Sequence, residues 1–336
     1  MLNVTLYTRK DCKLCDEVKA ELVELQARYP HRLVEVDINS DSALVAKYGQ
    51  TIPVVEVGPY TLQAPITRQK LQMTLGAATD RRNQLEQLED PEYKMRIEKG
   101  KNVTTGDRIS YWIAKRYLLI LNLFMLFYVG LPFLAPTLMK LNAELPAQLI
   151  YRMYKPFCHQ FGFRSFFLYG EQPYYPLAEA GVSGVRTFEE VTGIANLSDP
   201  YSFTRFEARN YIGDDVVGYK IALCERDVAI YLAILAFGIV FGLTGRRFKS
   251  VHWMVWLLIG IGPIGLDGFS QLFSQFNWEW LASLVPYRES TPFLRALTGA
   301  LFGLMTAWFA YPNIEESMSE TRQYYAKKFA VHQASE

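Results

Sequence analysis

The stretch RKDCKLC at residues 9–15 decides the fold of the first part of the chain, because it separates a strand pattern from a helix pattern. Residues 3–8 alternate between apolar and polar side chains, which is typical of a half-buried strand. Apolar residues then recur at helical spacing, namely Val18, Leu22, Val23 and Leu25. Asp11 is expected to cap this helix, which places Cys12 and Cys15 at its N-terminal end.

The CxxC spacing of Cys12 and Cys15 predicts a redox-active dithiol. At a helix N-terminus, unpaired amides and the helix dipole would stabilise the Cys12 thiolate. Three nearby cations would add to this effect: Arg9, Lys10 and Lys13. A more buried Cys15 could then resolve a mixed disulfide on Cys12. A single CxxC can also be half of a zinc site, but the sequence has no second CxxC or HxxxH to complete four ligands, so redox use is favoured.

The elements after the first helix complete a small α/β domain. Strands are predicted at 32–38, 51–57 and 60–66, and helices at 41–48 and 67–75. The order βαβαββα, with CxxC at the first helix, resembles the thioredoxin fold, and its small size over residues 1–78 is similar to glutaredoxin. This resemblance implies that Pro53 is cis and lies beside the active-site sulfurs. Glutathione-specific members carry a glycine pair where this chain has LQAPI (62–66), so glutathione and a protein dithiol or disulfide both stay open as partners.

The rest of the chain has the composition of a membrane protein. Hydrophobic residues make up 50% of the sequence, concentrated in the last two hundred residues. Uncharged apolar runs at 118–135, 228–244, 251–269 and 293–311 are each about long enough to cross ~30 Å of hydrocarbon. The net charge of +1 gives no electrostatic signature of nucleic-acid binding.

The predicted organisation is therefore an α/β thioredoxin-like domain followed by an all-α integral membrane domain of about four helices. Its boundaries are 1–79 for the redox domain, 80–116 for a charged juxtamembrane linker, 117–312 for the membrane domain and 313–336 for a tail. Within the membrane domain, 140–226 forms a large extracytoplasmic segment.

Basic residues predict the orientation of these spans. They cluster before the first span, between the second and third, and after the fourth: Lys101, Arg108, Lys115, Arg116, Arg246, Arg247, Lys249, Lys327 and Lys328. All three clusters lie on one side if the N-terminal domain and the C-terminus are both cytoplasmic. We therefore expect a multi-pass protein of the cell membrane, with the lipid bilayer as its partner.

Glycine and proline mark two features of the spans. Gly238 with Gly242, and Gly299 with Gly303, have the small-xxx-small spacing that lets helices approach closely, although glycine is also simply frequent in such helices. Pro263 is expected to kink the third span.

A second group of motifs lies in the membrane part: CHQ at 158–160, RSF at 164–166, CERD at 224–227 and DG at 267–268. Together with Pro263, this series resembles the family called domain of unknown function 2085, over about residues 118–311. The chain departs from shorter members by an insertion at about 171–219. The resemblance implies an architecture and a set of candidate residues, and it brings no established activity.

Under the predicted orientation, the polar residues of these motifs converge on the outer face of the membrane domain. Ionisable groups at membrane depth are costly and tend to be paired and functional. The candidate residues are Cys158, His159, Gln160, Arg164, Cys224, Arg226, Asp227, Asp267 and Arg295. Asp267 and Arg295 are the expected ion pair, either as a structural clamp or as part of a site.

Three interpretations of Cys158 and Cys224 stay open. They could form a structural disulfide, or an exchangeable disulfide that faces a substrate or a quinone. Together with His159 and a carboxylate, they could instead bind a metal ion such as zinc or copper. Among the remaining residues, His252 is expected at the membrane interface, and His31 and His332 at the surface. Interfacial anchoring is expected of the tyrosines of the insertion: Tyr174, Tyr175, Tyr201, Tyr211 and Tyr219.

The leading functional hypothesis is a membrane-tethered thiol–disulfide oxidoreductase, with Cys12 as nucleophile, Cys15 as resolving thiol and Pro53 shaping the substrate edge. The alternative is a metal-ion or small-solute transporter or binding protein, whose cytoplasmic dithiol senses redox state or accepts metal. A direct relay from Cys12 to Cys158 and Cys224 would have to cross ~30 Å of hydrocarbon. It would need a bound quinone or haem, a deep re-entrant site, or the opposite topology.

Overall fold

The computed structural model of the chain describes residues 2–88, 91, 95, 102–199, 202–275 and 287–333. Its contacts divide into two compact units, Met1–Tyr117 with Ile314–Glu336, and Leu118–Asn313. Part of the predicted linker (89–90, 92–94 and 96–101) and Tyr201 lie outside the described residues.

The first unit contains a four-stranded mixed sheet. Its strands are β1 (Leu2–Thr8), β2 (His31–Asp37), β3 (Val54–Val57) and β4 (Tyr60–Gln63), in the spatial order β2-β1-β3-β4. Strand β1 pairs parallel with β2 and antiparallel with β3, and β3 pairs antiparallel with β4. The helices are α1 (Lys13–Leu25), α2 (Ser42–Tyr48) and α3 (Arg68–Gln87), with a 3-10 turn at Ile38–Ser40. The predicted order βαβαββα is confirmed.

Side chains of β1 alternate between two cores because successive residues of a strand point to opposite faces. Val4 and Leu6 pack with residues of α1 and α3, including Leu22 and Leu75. Tyr7 packs on the other face with a second cluster, which includes residues of α2 and Cys15. Helices therefore cover both faces of the sheet, and one of the two cysteines is part of its core.

Three expectations for this domain are wrong. Helix α1 begins at Lys13 with Cys12 as its N-cap, and Asp11 lies one residue earlier with a left-handed φ of 61°, so it does not cap the helix. Val23 is 51% exposed, because it lies off the buried stripe of α1. His31 is buried rather than on the surface, and its Nδ1 lies 2.6 Å from the Tyr29 carbonyl oxygen.

Among the described residues, four helices are long and apolar enough to cross a membrane: Thr105–Lys140, Glu225–Leu243, Trp253–Ser274 and Pro292–Gln333. Each contains most or all of one predicted span. We name the helices α4 (Thr105–Lys140), α5 (Glu144–Tyr154), α6 (Phe188–Thr192), α7 (Thr204–Asn210), α8 (Glu225–Leu243), α9 (Trp253–Val255), α10 (Gly262–Ser274) and α11 (Pro292–Gln333).

Helix α11 continues without a break through the predicted tail. Its last part, from Ile314, belongs to the first unit. There the Arg322 guanidinium forms an ion pair with Asp41 at 2.6 Å, and Lys327 forms one with Glu56 at 2.9 Å. The end of the fourth apolar helix is thus bonded to the N-terminal α/β domain.

The insertion and the residues that flank it, from Gly162 to Lys220, form a small folded layer. Its strands are β5 (Phe167–Leu168), β6 (Gly213–Asp214) and β7 (Gly218–Lys220), paired antiparallel in the order β5-β7-β6. Two 3-10 turns, Gly162–Arg164 and Ala178–Ala180, complete it. Tyr175 is 1% exposed and lies in an aromatic core with Phe163 and Phe188, so the expected interfacial role is wrong for this tyrosine.

Two glycines explain how α8 and α11 approach each other. A Cβ on Gly299 would lie 2.6 Å from the Arg226 carbonyl oxygen, and one on Gly303 would lie 2.2 Å from that of Ile230. Only a residue without a side chain allows this contact between the helices. The pair therefore marks a packing site.

In the third apolar helix, a π-helical segment at Trp256–Ile261 joins α9 to α10 and ends just before Pro263. Proline has no N–H to donate and its ring clashes with the carbonyl four residues earlier, so the hydrogen bonds before it span five residues instead of four. Pro263 was expected to distort this helix, and the distortion is this π-helical segment.

Candidate functional site

The N-terminal cysteines lie at the connection between β1 and α1, at the start of the helix. Cys12 and Cys15 are joined by a disulfide. Cys12 is partly exposed at the N-cap, and its carbonyl accepts hydrogen bonds from the amides of Cys15 (2.9 Å) and Asp16 (3.1 Å). Cys15 is 1% exposed. The two sulfurs therefore differ in access to a substrate, as a nucleophile and a resolving thiol must.

Pro53 follows a cis peptide bond with Ile52, as the resemblance to the thioredoxin fold implies. Pro53 is buried, and Ile52 packs in the same apolar cluster as Cys15, with Cys12 partly buried against it. The cis-proline turn and the cysteine pair thus border one another at one end of the sheet.

The same domain contains a hydrogen-bonded carboxylate, that of Glu56. Glu56 accepts hydrogen bonds from the hydroxyls of Tyr7 (3.1 Å) and Tyr48 (3.3 Å) and from the ammonium of Lys327 (2.9 Å). Burial alone would raise the pKa of Glu56, but the Lys327 ammonium and the two hydroxyls lower it below its usual value. Burial, and then the Glu56 charge, raise the pKa of Tyr7, which keeps this phenol neutral.

In the second unit, the side chains of Cys158 and Cys224 lie close together without forming a disulfide. Cys158 and Cys224 are free thiols, so the structure does not contain the disulfide considered from the sequence. Their sulfurs and a carboxylate oxygen of Asp227 all lie within 4.8 Å of one another. The Cys158 sulfur also accepts from the amides of Cys224 (3.2 Å) and Gln160 (3.5 Å).

These contacts favour a thiolate at Cys158. A hydrogen bond from the Cys224 thiol is the largest cause that lowers the pKa of Cys158, and the two amides lower it further. Burial and the Asp227 charge act in the opposite direction. His159 is not a member of this group in the described structure. It is exposed, and its ring stacks on Phe161 with the centroids 5.6 Å apart.

Next to the sulfurs, two arginines share one buried carboxylate. Arg295 forms ion pairs with Glu225 (2.9 Å) and with Glu289. Arg164 binds Glu289 with two parallel hydrogen bonds, from Nε at 2.7 Å and from Nη2 at 2.8 Å. Glu225, Glu289 and Arg295 are all buried. This cluster joins the RSF motif to α8 and α11.

Asp267 has different partners from the one expected. The predicted ion pair with Arg295 is wrong, because Asp267 pairs with Arg226 and with Arg288 (3.0 Å). Its Oδ2 also accepts from the Ser290 hydroxyl at 3.0 Å and from the Gln271 amide at 3.3 Å. A 4% exposed carboxylate with four donors is a strong crosslink between α8, α10 and the residues just before α11.

Sequence reasoning missed four charged residues that complete these clusters: Lys220, Glu225, Arg288 and Glu289. Glu225 stands inside the CERD motif, and Arg288 and Glu289 directly precede the fourth apolar helix. Charged residues that adjoin a predicted span, next to residues already chosen, are the signal that could have found them. Lys220 has no such signal in the sequence, since it comes from a strand of the insertion.

Comparison with known proteins finds two family models that match separate parts of the chain. Residues 3–76 match the family model of a glutaredoxin-like domain (DUF836). Residues 215–309 match that of a predicted membrane protein family (DUF2085). The two matches agree with the predicted fusion of a glutaredoxin-like domain and a membrane domain. The two matches identify the glutaredoxin-like domain and the membrane domain, and the second begins after the CHQ motif at 158–160.

One similar solved structure is an X-ray structure of a Northeast Structural Genomics target protein from X. campestris. It is 37% identical, with 22% of this chain and 96% of that chain covered and a TM-score of 0.20. A comparison with curated proteins finds no match.

Proposed function

We propose that the chain is a membrane-anchored thiol–disulfide oxidoreductase whose reactive group is Cys12. The observation that supports this most is the bonded pair at the N-terminus of α1, with Cys12 accessible and Cys15 buried. Exposed cations flank the pair: Arg9, Lys10 and Lys13. A thiolate at this position is favoured by the helix dipole and by these charges.

The reaction proceeds in two exchange steps. The Cys12 thiolate attacks one sulfur of a substrate disulfide, forms a mixed disulfide, and expels the other substrate sulfur as a thiolate that takes up a proton. Cys15 loses its proton and attacks the Cys12 sulfur, which releases the second substrate thiol and forms the Cys12–Cys15 disulfide. The substrate gains two electrons, and a thiol reductant, either glutathione or a protein dithiol, returns them to the enzyme.

The full chain in detergent tests this proposal. After reduction, it should reduce a small aromatic disulfide with a thiol as electron donor, and Cys12→Ser should abolish turnover. Val23→Ser is the matched control, because it changes an exposed residue of the same helix away from the cysteines. Absence of turnover in the wild-type protein would overturn the proposal.

We further propose that the glutaredoxin-like domain and the C-terminus are cytoplasmic, since the basic clusters that flank the apolar helices then share one side. An impermeant maleimide should label reduced Cys12 in inverted vesicles and leave it unlabelled in intact cells. Labelling of Cys12 in intact cells would reverse the orientation.

A second candidate function rests on the geometry of Cys158, Cys224 and Asp227. Two cysteine sulfurs and a carboxylate oxygen within 4.8 Å of one another form a ligand set suited to a soft or borderline cation such as Zn²⁺ or Cu⁺. Three protein ligands would leave one position of a tetrahedral ion open. The membrane domain would then bind the metal, and pass it on if it acts as a transporter.

Metal analysis of the purified full chain, followed by a competition titration with a chromophoric chelator, tests this second function. Cys158→Ser should lower zinc affinity by several orders of magnitude. Asp215→Asn, which alters an exposed aspartate of the insertion, is the control. If the wild-type protein competes no better than Cys158→Ser, the site is not a metal site, and oxidation of the two thiols becomes the test of an exchangeable disulfide.

A further inference from the structure

A cleft of about 170 Å³ lies between the end of α5 and the segment from α7 to β7. Four of its lining residues are cations: Arg152, Lys155, Arg209 and Lys220. The other lining residues are neutral, so no carboxylate among the described residues borders the cleft. Four positive charges around so small a volume repel one another unless an anion lies between them.

Lys220 is the most unusual of these residues, because it is 1% exposed. Its ammonium donates to the carbonyl oxygens of Gln160 (2.7 Å) and Arg209 (2.6 Å). An ammonium has three donors, so these two bonds leave one proton for another acceptor. Lys220 has no carboxylate partner in the described part of the chain. The charge of Cys158 offsets its burial only in part, so this buried cation is costly.

The neighbouring cations are held in place by neutral groups as well. Arg209 donates from Nη2 to the Lys155 carbonyl at 3.0 Å, while its buried Nε has no acceptor. Lys155 donates to the amide oxygen of Asn210 at 2.8 Å. These contacts position three cationic side chains around the cleft and leave their charge uncompensated.

We propose that this cleft binds a phosphate-sized oxyanion, held by Lys220 at its base and by Arg209, Lys155 and Arg152 around it. Drug-sized ligands need roughly 300–1,000 Å³, so the smaller volume here suits a single anionic group. Arginine and lysine are the side chains that bind phosphate groups through charge-assisted hydrogen bonds. Free phosphate and the phosphate of an anionic lipid headgroup share this chemistry.

Calorimetric titration of the full chain in a neutral detergent with inorganic phosphate, at constant ionic strength, tests the proposal. The double variant Arg152→Gln/Arg209→Gln should weaken phosphate binding by about tenfold or more, because it removes two charge-assisted contacts. These residues are less buried than Lys220, so the variant is expected to fold. Arg186→Gln, which changes an exposed arginine of the same insertion, should bind as the wild type does.

A second titration distinguishes the two sources of the anion. If a lipid headgroup is the ligand, phosphatidylglycerol in the micelle should weaken phosphate binding by competition, whereas phosphatidylcholine should not. If a soluble anion is the ligand, neither lipid competes. Equal phosphate binding by the wild type and the folded double variant, or no binding by the wild type, would overturn the proposal.

Discussion

Arg164 binds Glu289 through two parallel hydrogen bonds of 2.7 and 2.8 Å, across 125 positions of sequence. Glu289 also pairs with Arg295, so its one negative charge serves two guanidinium groups. Glu289→Gln should leave both cations undercompensated in a buried site. We expect it to lower the free energy of unfolding by about 3–5 kcal/mol, the usual cost of breaking a buried ion pair.

Denaturation of the full chain in mixed micelles measures this loss. Glu171→Gln is the matched control, because Glu171 also pairs with an arginine, Arg186, but both side chains are more than half exposed. Exposed pairs contribute about 0–1 kcal/mol. A similar small effect for both variants would show that the Glu289 cluster is not a structural crosslink.

Gly303→Ala should disrupt the contact between α8 and α11. The added Cβ would lie 2.2 Å from the Ile230 carbonyl oxygen, so the helices must separate. We expect a loss of about 1–3 kcal/mol, as for other overpacked sites, measured by thermal aggregation of the detergent-solubilised protein. Gly130→Ala, in α4 with nothing within 4 Å of the new Cβ, should be neutral or stabilising.

Cys15→Ser should trap the reaction at its first step. Without a resolving thiol, the mixed disulfide between Cys12 and the substrate cannot be released by the enzyme itself. Intact-mass analysis under non-reducing conditions should therefore show an adduct on this variant, and none on Cys12→Ser. An adduct that forms equally on both variants would assign the nucleophile to another cysteine.

Glu56→Gln should loosen the C-terminal part of α11. The variant loses the ion pair with Lys327, so amide exchange across 320–333 is expected to accelerate. Glu35→Gln, which removes an exposed pair with Lys19, should leave that exchange unchanged. An unchanged rate in Glu56→Gln would show that the pair of Glu56 with Lys327 does not hold the helix end, which also bonds through Arg322 and Lys328.

The same contact predicts a pH dependence. The folded pKa of Glu56 lies below its usual value of 4.5, so the stabilisation is complete above that value and is lost as the pH falls through the folded pKa. Exchange of 320–333 in the wild type, corrected for the chemical rate, should therefore rise only in acid. Glu56→Gln should reduce this rise, and the pairs of Asp41 and Asp107 with the same segment account for the remainder.

Anion binding in the cleft should also depend on pH. Burial, together with the charge of Lys155, lowers the pKa of Lys220 to about 7, while the Cys158 charge opposes this. Sulfate, which does not titrate in this range, should bind less tightly as the pH rises from 6 to 8. The limit is about a tenfold loss per pH unit if only the protonated lysine binds.

Lys155→Gln removes one of the charges that lower this pKa and should shift the midpoint to higher pH. The other charged groups that line the cleft are Arg152 and Arg209. Sulfate affinity that stays constant from pH 6 to 8 would show that Lys220 does not contact the anion.

The local sequence was sufficient to predict the features that depend only on residues adjacent in the chain. The strand before CxxC and the helix after it follow from the period of apolar side chains, and the four spans follow from the length of their apolar runs. The α/β order of the first domain and the membrane character of the second were therefore predictable. The start of α1 was wrong by one residue, because a left-handed φ at Asp11 has no clear sequence signal.

The tertiary structure alone decided which charged residues form ion pairs with each other. Asp267 and Arg295 are of opposite charge and lie at the ends of neighbouring spans, so their pairing was the natural expectation. Each instead has nearer partners: Arg226 and Arg288 for Asp267, Glu225 and Glu289 for Arg295. Coulomb energy falls with distance in three dimensions, so the packing of the helices selects the pairs.

By itself, the sequence determined a dithiol at a helix N-terminus, joined to a bundle of apolar helices. Only the tertiary structure showed that Cys158, Cys224 and Asp227 meet, that Glu289 is shared by two arginines, and that Lys220 is buried among other cations. The physical reason is that the periodicity and composition of a segment indicate its secondary structure and whether it faces water or lipid. Sites are built from side chains that are distant in sequence, and only the packed chain brings these together.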